Sequence, residues 1–563
     1  MRSIWAVARQ TFTECSRRKV AAVSIALLVV LLGGLPFYAV GDGTLSGRIR
    51  TQLDYSTIMI TVLLGVVTLI LSVSVVCDDV STKRIFLVAA KPIHRWQYIL
   101  GRWVGVVVFL ALLVAAACIL SYGLAQYLRG QQTNPDDRRT IETEVFAARA
   151  RVSPESLEPR VQQYIRQRIE SMGPQRYEEA VKAFLGSSEG GSLAAAEQAL
   201  QKELRKQALQ ALQSVPPSAP PGGRPLVWRF QGVNVAGAEV RAAAEVVAIH
   251  PNDPLIRFRV DPLLVGQMSF GGPVRVEGVD ARIYDLGRDT VDVMFLRPDD
   301  MKRGAVAGLK PGRDATLVVE PMIQITYKPV PQGDAPGGVL FSEWQVINPK
   351  TNEVYYENRN DPVRLPATLS VPGRVVSEDG EVVVVYYNRV SPGTGAGTSV
   401  KMAWEDMAVL YRVGGFEWNF VRGGLMILIQ MMFLAGVGIL TGSFLSFSVA
   451  FVVSLLVLPL GLMRGFLTDA VRVPTDAFGG VEGAGETLER VGLVLANYMV
   501  RLVNAVLPDF SSAMPGDSLV DGMLISWSQL GAVSLYAVGV RVTIALGVAC
   551  LVFRKRELAR VQV

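Results

Sequence analysis

From Gly423 to Met463 the chain runs for 41 residues without one Asp, Glu, Lys or Arg. As a single helix this run would be roughly 60 Å long, about twice the ~30 Å hydrocarbon core of a bilayer. It weakens at Thr441-Gly442-Ser443 and Ser446-Phe447-Ser448, so two membrane crossings joined by a tight turn are expected. Three more uncharged runs reach spanning length: Val20–Val40 and Thr57–Cys77 with 21 residues each, and Trp103–Leu128 with 26. A last apolar run, Gln529–Phe553, carries one charge, Arg541. The expected fold is an α-helical polytopic membrane protein with about six transmembrane helices. A cleaved signal is not expected at the first run, because Glu14 lies ahead of it and Pro36-Phe37-Tyr38 stands where a cleavage site needs small residues.

Charge placement supplies an orientation. Only 19% of residues are charged against about a quarter in soluble proteins, and the net charge is +6. In a soluble chain that excess would suggest nucleic acid. Here the basic residues cluster beside apolar runs, so a lipid bilayer is the expected partner and nucleic acid is not. Residues 1–19 hold five Lys or Arg, residues 78–102 hold five, and the tail after Phe553 holds four. The loop 41–56 has only Arg48 and Arg50, offset by Asp42 and Asp54. Positive residues stay on the cytoplasmic side. Six crossings then place both termini in the cytoplasm and residues 129–420 outside, in a cell (plasma or inner) membrane.

The outer region is expected to be an inserted extracytoplasmic α+β domain between the third and fourth spans. Residues 129–222 read as helical: Leu193–Leu212 repeats Leu and Ala at helical spacing before a Pro/Gly-rich linker at 216–223. Residues 223–414 read as a β-sandwich. Val274–Tyr284, Thr290–Leu296, Ala315–Val319, Gln324–Tyr327 and Glu381–Tyr387 are short, β-branched or aromatic, and separated by turn residues. Trp228, Trp344, Tyr355 and Tyr356 could form a stacking platform, but aromatics of this kind more often fill a core. Asp136-Asp137 and Asp299-Asp300 lack calcium-loop spacing and suit loop or capping roles. The four cysteines lie in or beside the apolar runs, so no disulfide framework is expected, and two histidines leave little scope for zinc.

No G-x-x-x-x-G-K-[ST], HExxH, GxSxG or CxxC occurs. No catalytic or metal residues are expected, the chain is not expected to be an enzyme, and it needs no cofactor of its own. The informative segment is Asp78–Gly105, DDVSTKRIFLVAAKPIHRWQYILGRWVG. It has an acidic end to the second run, a short amphipathic stretch, a proline break, basic residues and a glycine opening the third run. From these features alone it is either an ordinary basic loop or a short helix able to pass a push into the membrane.

This segment resembles the region after the second span of ABC-2-type transporter permeases. Asp79 stands in place of that family's glutamate, and Lys91-Pro92-Ile93-His94-Arg95 with Gly101-Arg102 match its pattern, whereas Lys83-Arg84 replace a Gly-Thr pair. The amphipathic IWAVARQTFTECSRRK before the first run, the segment from Asn419 through Ala450 and the terminal FRKREL are similar to the same family. The resemblance covers residues 1–128 and 415–563. It implies a permease subunit paired with a second copy or a relative, driven by a cytoplasmic ABC ATPase subunit that holds ATP-Mg. It also implies that Asp79, Lys83, Arg84, Lys91, Pro92 and Arg95 form the coupling element. An outer amphipathic helix over 488–507 and the intramembrane charge Arg541 are further expectations. The alternative is a membrane-anchored receptor or adhesion protein in which the sandwich does the work.

Overall fold

The structure is a computed structural model describing residues 2–38, 41, 43–82, 94–185, 193–220, 222–235, 240–250, 254–261, 268, 272–287, 289–295, 301–302, 304–333, 338–391, 395, 397–464, 498–499, 510 and 514–555. It divides into two compact units, residues 1–148 with 414–563, and residues 149–413.

The first unit is a helical bundle. Its α-helices of eight or more residues, among the described residues, are α1 (Arg2–Arg17), α2 (Lys19–Tyr38), α3 (Leu45–Ser81), α4 (Arg95–Arg129), α5 (Phe416–Gly442), α6 (Phe447–Leu462), α7 (Trp527–Ser534) and α8 (Thr543–Lys555), the last two joined by a π-helical segment, Leu535–Val542. Among the described residues, four helical stretches are long and apolar enough to cross a membrane: α3, α4, α5 and Trp527–Phe553. They mark the unit as membrane-associated. Two shorter apolar helices, Ala22–Gly34 and Phe447–Leu462, fall below that length. The break expected inside the long uncharged run lies between α5 and α6, where Ser446 opens the new helix. Lipid-facing character shows at the surface: Leu112, Ile119, Val421, Val452 and Leu456 are exposed. Trp5 and Trp96 are exposed towards one end of the bundle, and Tyr127, Trp418 and Trp527 towards the other. Interfacial aromatics in two girdles suit a bilayer.

Within lipid, helices gain little from hiding apolar surface, so close packing of small residues takes over. Between α3 and α5, a Cβ on Gly438 would fall 1.9 Å from Ser72 Oγ, and one on Gly442 would lie 3.1 Å from the Val73 carbonyl oxygen. Glycine is therefore required for the two backbones to approach this closely.

The start of α3 is capped by a carboxylate from a short helix, Pro135–Thr140, that follows α4 in the chain. Asp137 accepts the amides of Leu45 at 2.8 Å and Ser46 at 3.0 Å, and the Thr133 hydroxyl at 2.6 Å. A negative group on the free amides of a helix start is favoured. Burial alone would raise the Asp137 pKa, but these hydrogen bonds outweigh it and hold the carboxyl below its ordinary value. A depressed folded pKa means stability that is full above the unfolded value and fades as pH falls towards the folded one. Asp137→Ala is therefore expected to cost about 1–2 kcal/mol at neutral pH. The gap to wild type should persist down to the ordinary carboxylate value of 3.8 and close below it, as denaturant titrations across pH would reveal. A gap that widens in acid would refute the assignment.

The second unit mixes helix and sheet. Glu158–Leu185 and Leu193–Gln213 pack as a helical hairpin around Val161, Ile165, Val181, Leu200 and Leu204. The first helix breaks at Gly173, whose φ of +75° only glycine adopts freely, with Pro174 next. Two four-stranded sheets share one core. One is ordered Ala147–Val152, Ala408–Gly415, Met322–Tyr327, Ala367–Pro372; the other is ordered Val354–Pro362, Val339–Ile347, Val382–Arg389, Leu226–Phe230. Ile323, Ile325 and Val409 of the first meet Trp228, Trp344 and Val384 of the second in that core. A small three-stranded sheet adds Val215, Val400 and Met402.

The sandwich expectation needs a correction. Val240–Ile249, Leu255–Arg259, Thr290–Phe295, Val279–Leu286, Pro273–Val276 and Asp314–Val319 form a closed six-stranded barrel with its own core. Three segments read as sandwich strands (Val274–Tyr284, Thr290–Leu296 and Ala315–Val319) belong to it. Alternating burial looks the same in a barrel and a sandwich. Closure comes from Asp314–Val319 pairing with both Val240–Ile249 and Pro273–Val276, a long-range choice that local pattern does not encode. The proline-rich linker also lies on the sheet rather than free of it. The Ser218 amide donates to the Asn388 carbonyl at 3.0 Å, and Arg389 Nη1 donates to the Gly222 carbonyl at 2.6 Å.

Candidate functional site

Residues 83–93, which include Lys83, Arg84, Lys91 and Pro92, lie outside the described residues. Their two roots do not. At the end of α3 and the start of α4 the bundle holds a buried charged joint, and α1 lies against it.

Arg102, nearly fully buried in α4, is the centre. Its Nη2 donates to Asp79 of α3, and its Nη1 donates to Glu14 of α1 at 2.5 Å and to the Thr11 hydroxyl at 3.1 Å. Tyr98, one turn before Arg102, donates its hydroxyl to the same Asp79 carboxylate. Asp79 is itself buried. A second ion pair, Arg18 to Asp78 at 2.7 Å, sits at the edge and is partly exposed. Exposed pairs of that kind contribute about 0–1 kcal/mol, so the buried trio sets the geometry.

Local sequence explains how α1 comes so near. A Cβ at Gly101 would meet Val7 Cβ at 2.7 Å and the Ile4 carbonyl oxygen at 3.0 Å, and one at Gly105 would meet Thr11 Cβ at 2.5 Å and the Ala8 oxygen at 2.6 Å. Two glycines one turn apart make a flat strip on α4. On α1, Ala8, Thr11 and Cys15 fall on one face and are the buried residues of that helix. The start of α4 is fixed by Gln97, whose side-chain oxygen accepts the His94 amide at 3.3 Å and the Ser3 hydroxyl at 3.1 Å. Arg95 Nη1 donates to the Phe553 carbonyl at 2.6 Å, tying the first turn of α4 to α8. Trp103 Nε1 donates to the Met432 carbonyl at 3.0 Å and reaches α5.

This arrangement is a buried network of ion pairs and hydrogen bonds that ties α1, α3 and α4 together. The described residues contain no cluster of His, Cys, Asp and Glu able to hold a metal. Cys15, on the buried face of α1, has its pKa pushed up to about 11 by burial, so it is protonated and inert at neutral pH. That thiol reports on the joint. In a chain keeping Cys15 as its one cysteine, maleimide should fail to label the folded protein. Gly105→Val should lift α1 and make Cys15 reactive, whereas equally slow labelling in both proteins would show that the glycine strip does not hold α1 down.

Of the residues picked out in the sequence, Asp79 and Arg95 lie at this joint and make different bonds: Asp79 to Arg102 and Tyr98, Arg95 to α8. Glu14, Thr11, Tyr98 and the central role of Arg102 were not anticipated. Two signals pointed to them, namely the single acid of the amphipathic first helix and the Tyr98–Arg102 spacing of one turn. Arg541 lies in the π-helical segment, half-buried, with its guanidinium 5.6 Å from the Tyr536 ring centroid. The 488–507 helix lies outside the described residues except Tyr498 and Met499, both exposed. No family model matches the chain, and no curated protein matches its sequence.

Proposed function

We propose that this chain is the membrane subunit of an ATP-driven transporter of the ABC-2 type, working with a separate cytoplasmic ATPase that binds ATP-Mg. One observation carries the reading: both roots of residues 83–93 are bound into a single buried joint that also grips α1. A force applied to that segment would move α1, α3 and α4 together, and through Arg95 and Trp103 it would reach α8 and α5. A plain basic loop has no need of such a joint. The same reading has six crossings, both termini and residues 83–93 in the cytoplasm, residues 129–420 outside, and a second copy or relative completing the pathway. The positive-inside count supports that orientation.

The test is coupling. The full chain would be purified with the ATPase subunit that accompanies it, and transport-linked ATPase activity measured in vesicles. Arg95→Glu and a replacement of Pro92 are expected to leave membrane insertion intact and to lower stimulated ATPase activity severalfold. Wild-type stimulation in both variants would count against the assignment, as would failure to recover any P-loop ATPase with the chain.

A further inference from the structure

The six-stranded barrel is an insertion into the pair of sheets. The chain leaves the sheets after Phe230, enters the barrel at Val240, leaves it at Val319 and rejoins the sheets at Met322. Both tethers are fastened on the sheet side. The Val233 amide donates to the Gly380 carbonyl at 3.0 Å, and the Gly373 amide donates to the Pro321 carbonyl at 2.6 Å. Among the described residues, the buried apolar side chains of barrel and sheets fall into two separate clusters. Apolar packing therefore builds each body, and polar side chains join them.

Two arginines carry that joining. In Val279–Leu286, Ala281 and Ile283 point into the barrel core, so Asp280 and Arg282 point outward on one face. Arg282 Nη2 donates to the Glu357 carboxylate, to the Ser370 carbonyl at 2.9 Å and to the Tyr355 hydroxyl at 3.3 Å. Arg374 reaches from the sheets in the opposite sense. Its Nη2 donates to Asp280 at 2.5 Å, its Nη1 donates to Glu320 of the tether at 2.5 Å, and its Nε lies 2.8 Å from Glu353. Arg275 of the barrel pairs with Glu320 as well. Glu357 is also held from its own sheet, by the Tyr355 hydroxyl at 3.0 Å and Arg359 at 3.7 Å, so this acceptor is positioned independently of the barrel.

The pairs run crosswise. The barrel presents an acid and a base two residues apart, and the sheets present a base and an acid. Turning the barrel end for end would set Arg282 against Arg374 and Asp280 against Glu357, and like charges in contact are strongly unfavourable. A polar seam between two bodies otherwise leaves relative motion as the default. We infer that the barrel is a rigid body latched onto the sheets by Arg282 and Arg374, and that opening this latch frees it to turn on its two tethers while both cores stay folded.

Spin labels test the latch in the full chain with its four native cysteines replaced by alanine. Lys310→Cys on the barrel and Lys401→Cys on the three-stranded sheet, both exposed, carry the labels. With the latch intact, a single narrow distance distribution is expected. Arg282→Gln/Glu357→Gln removes one crosswise pair without stranding a buried charge, and should widen the distribution severalfold. Asp280→Lys, at a partly exposed position, sets a cation against Arg374 and should widen it too. In both variants, amide exchange over 255–259 and 290–295 of the barrel and 339–347 of the sheets should keep the unsubstituted rate. An unchanged width in either variant would mean that other contacts hold the barrel. Lost protection in either core would mean that barrel and sheets are one folding body. Each of these results overturns the inference.

Discussion

Arg102→Met is expected to destabilise the bundle by about 3–5 kcal/mol, the usual cost of deleting one partner from a buried ion pair. The substitution keeps most of the side-chain volume, so the loss is electrostatic. Among the described residues, Asp79 would be left buried with only the Tyr98 hydroxyl as partner, and Glu14 would lose its guanidinium. An isolated buried carboxylate either takes up a proton or draws in water, and both oppose the native packing. Buried pairs often add little net stability over apolar replacements, so the double variant Asp79→Asn/Arg102→Met should recover part of the loss. Denaturant titration of the full chain in detergent, followed by exposure of Cys15, measures both. A single-variant effect within about 0.5 kcal/mol would place Arg102 among surface-like positions and remove the joint from consideration.

That joint also marks the boundary of what the sequence discloses. The long helices were legible because lipid imposes a one-dimensional rule: enough uncharged residues in a row. α3, α4, α5 and Trp527–Phe553 follow it, and even the turn near Ser446 was visible as a dip in apolarity. Partners were not visible. Arg102 stands one residue ahead of an uncharged run, where a flanking arginine obeying the positive-inside rule also stands. Its carboxylate acceptors come from 23 and 88 residues away. Only the approach permitted by Gly101 and Gly105 brings Glu14 to it, and nothing periodic announces that approach. The barrel was hidden for the same reason, since each strand alternates correctly and only the pairing of first with last closes it.

Trp344→Ala is the second large effect, expected to cost about 3–5 kcal/mol in the unit formed by residues 149–413. Strand alternation in Val339–Ile347 points Trp344 inward, where it is fully buried. Its ring lies 4.3 Å from Tyr327 and 4.8 Å from Tyr386, and its Nε1 donates to the Ser342 hydroxyl at 3.1 Å. Removing it opens a cavity between both sheets and takes one ring contact from each of the two buried tyrosines. The same period predicts the contrast on the next strand. Tyr355 is buried and Tyr356 exposed, so of the four aromatics once in question three are core and one faces outward. Tyr356→Ala should stay within about 0.5 kcal/mol. Hydrogen exchange on the full chain separates the cases. At 1.4 kcal/mol per tenfold, peptides over 339–347 and 382–389 should exchange about two to three and a half powers of ten faster in Trp344→Ala. Barrel peptides over 240–249 and 314–319 should change less, because their side chains form a separate core. Equal acceleration in barrel and sheets would mean that the two cores open as one cooperative block, and the barrel would then not be an independent unit of stability.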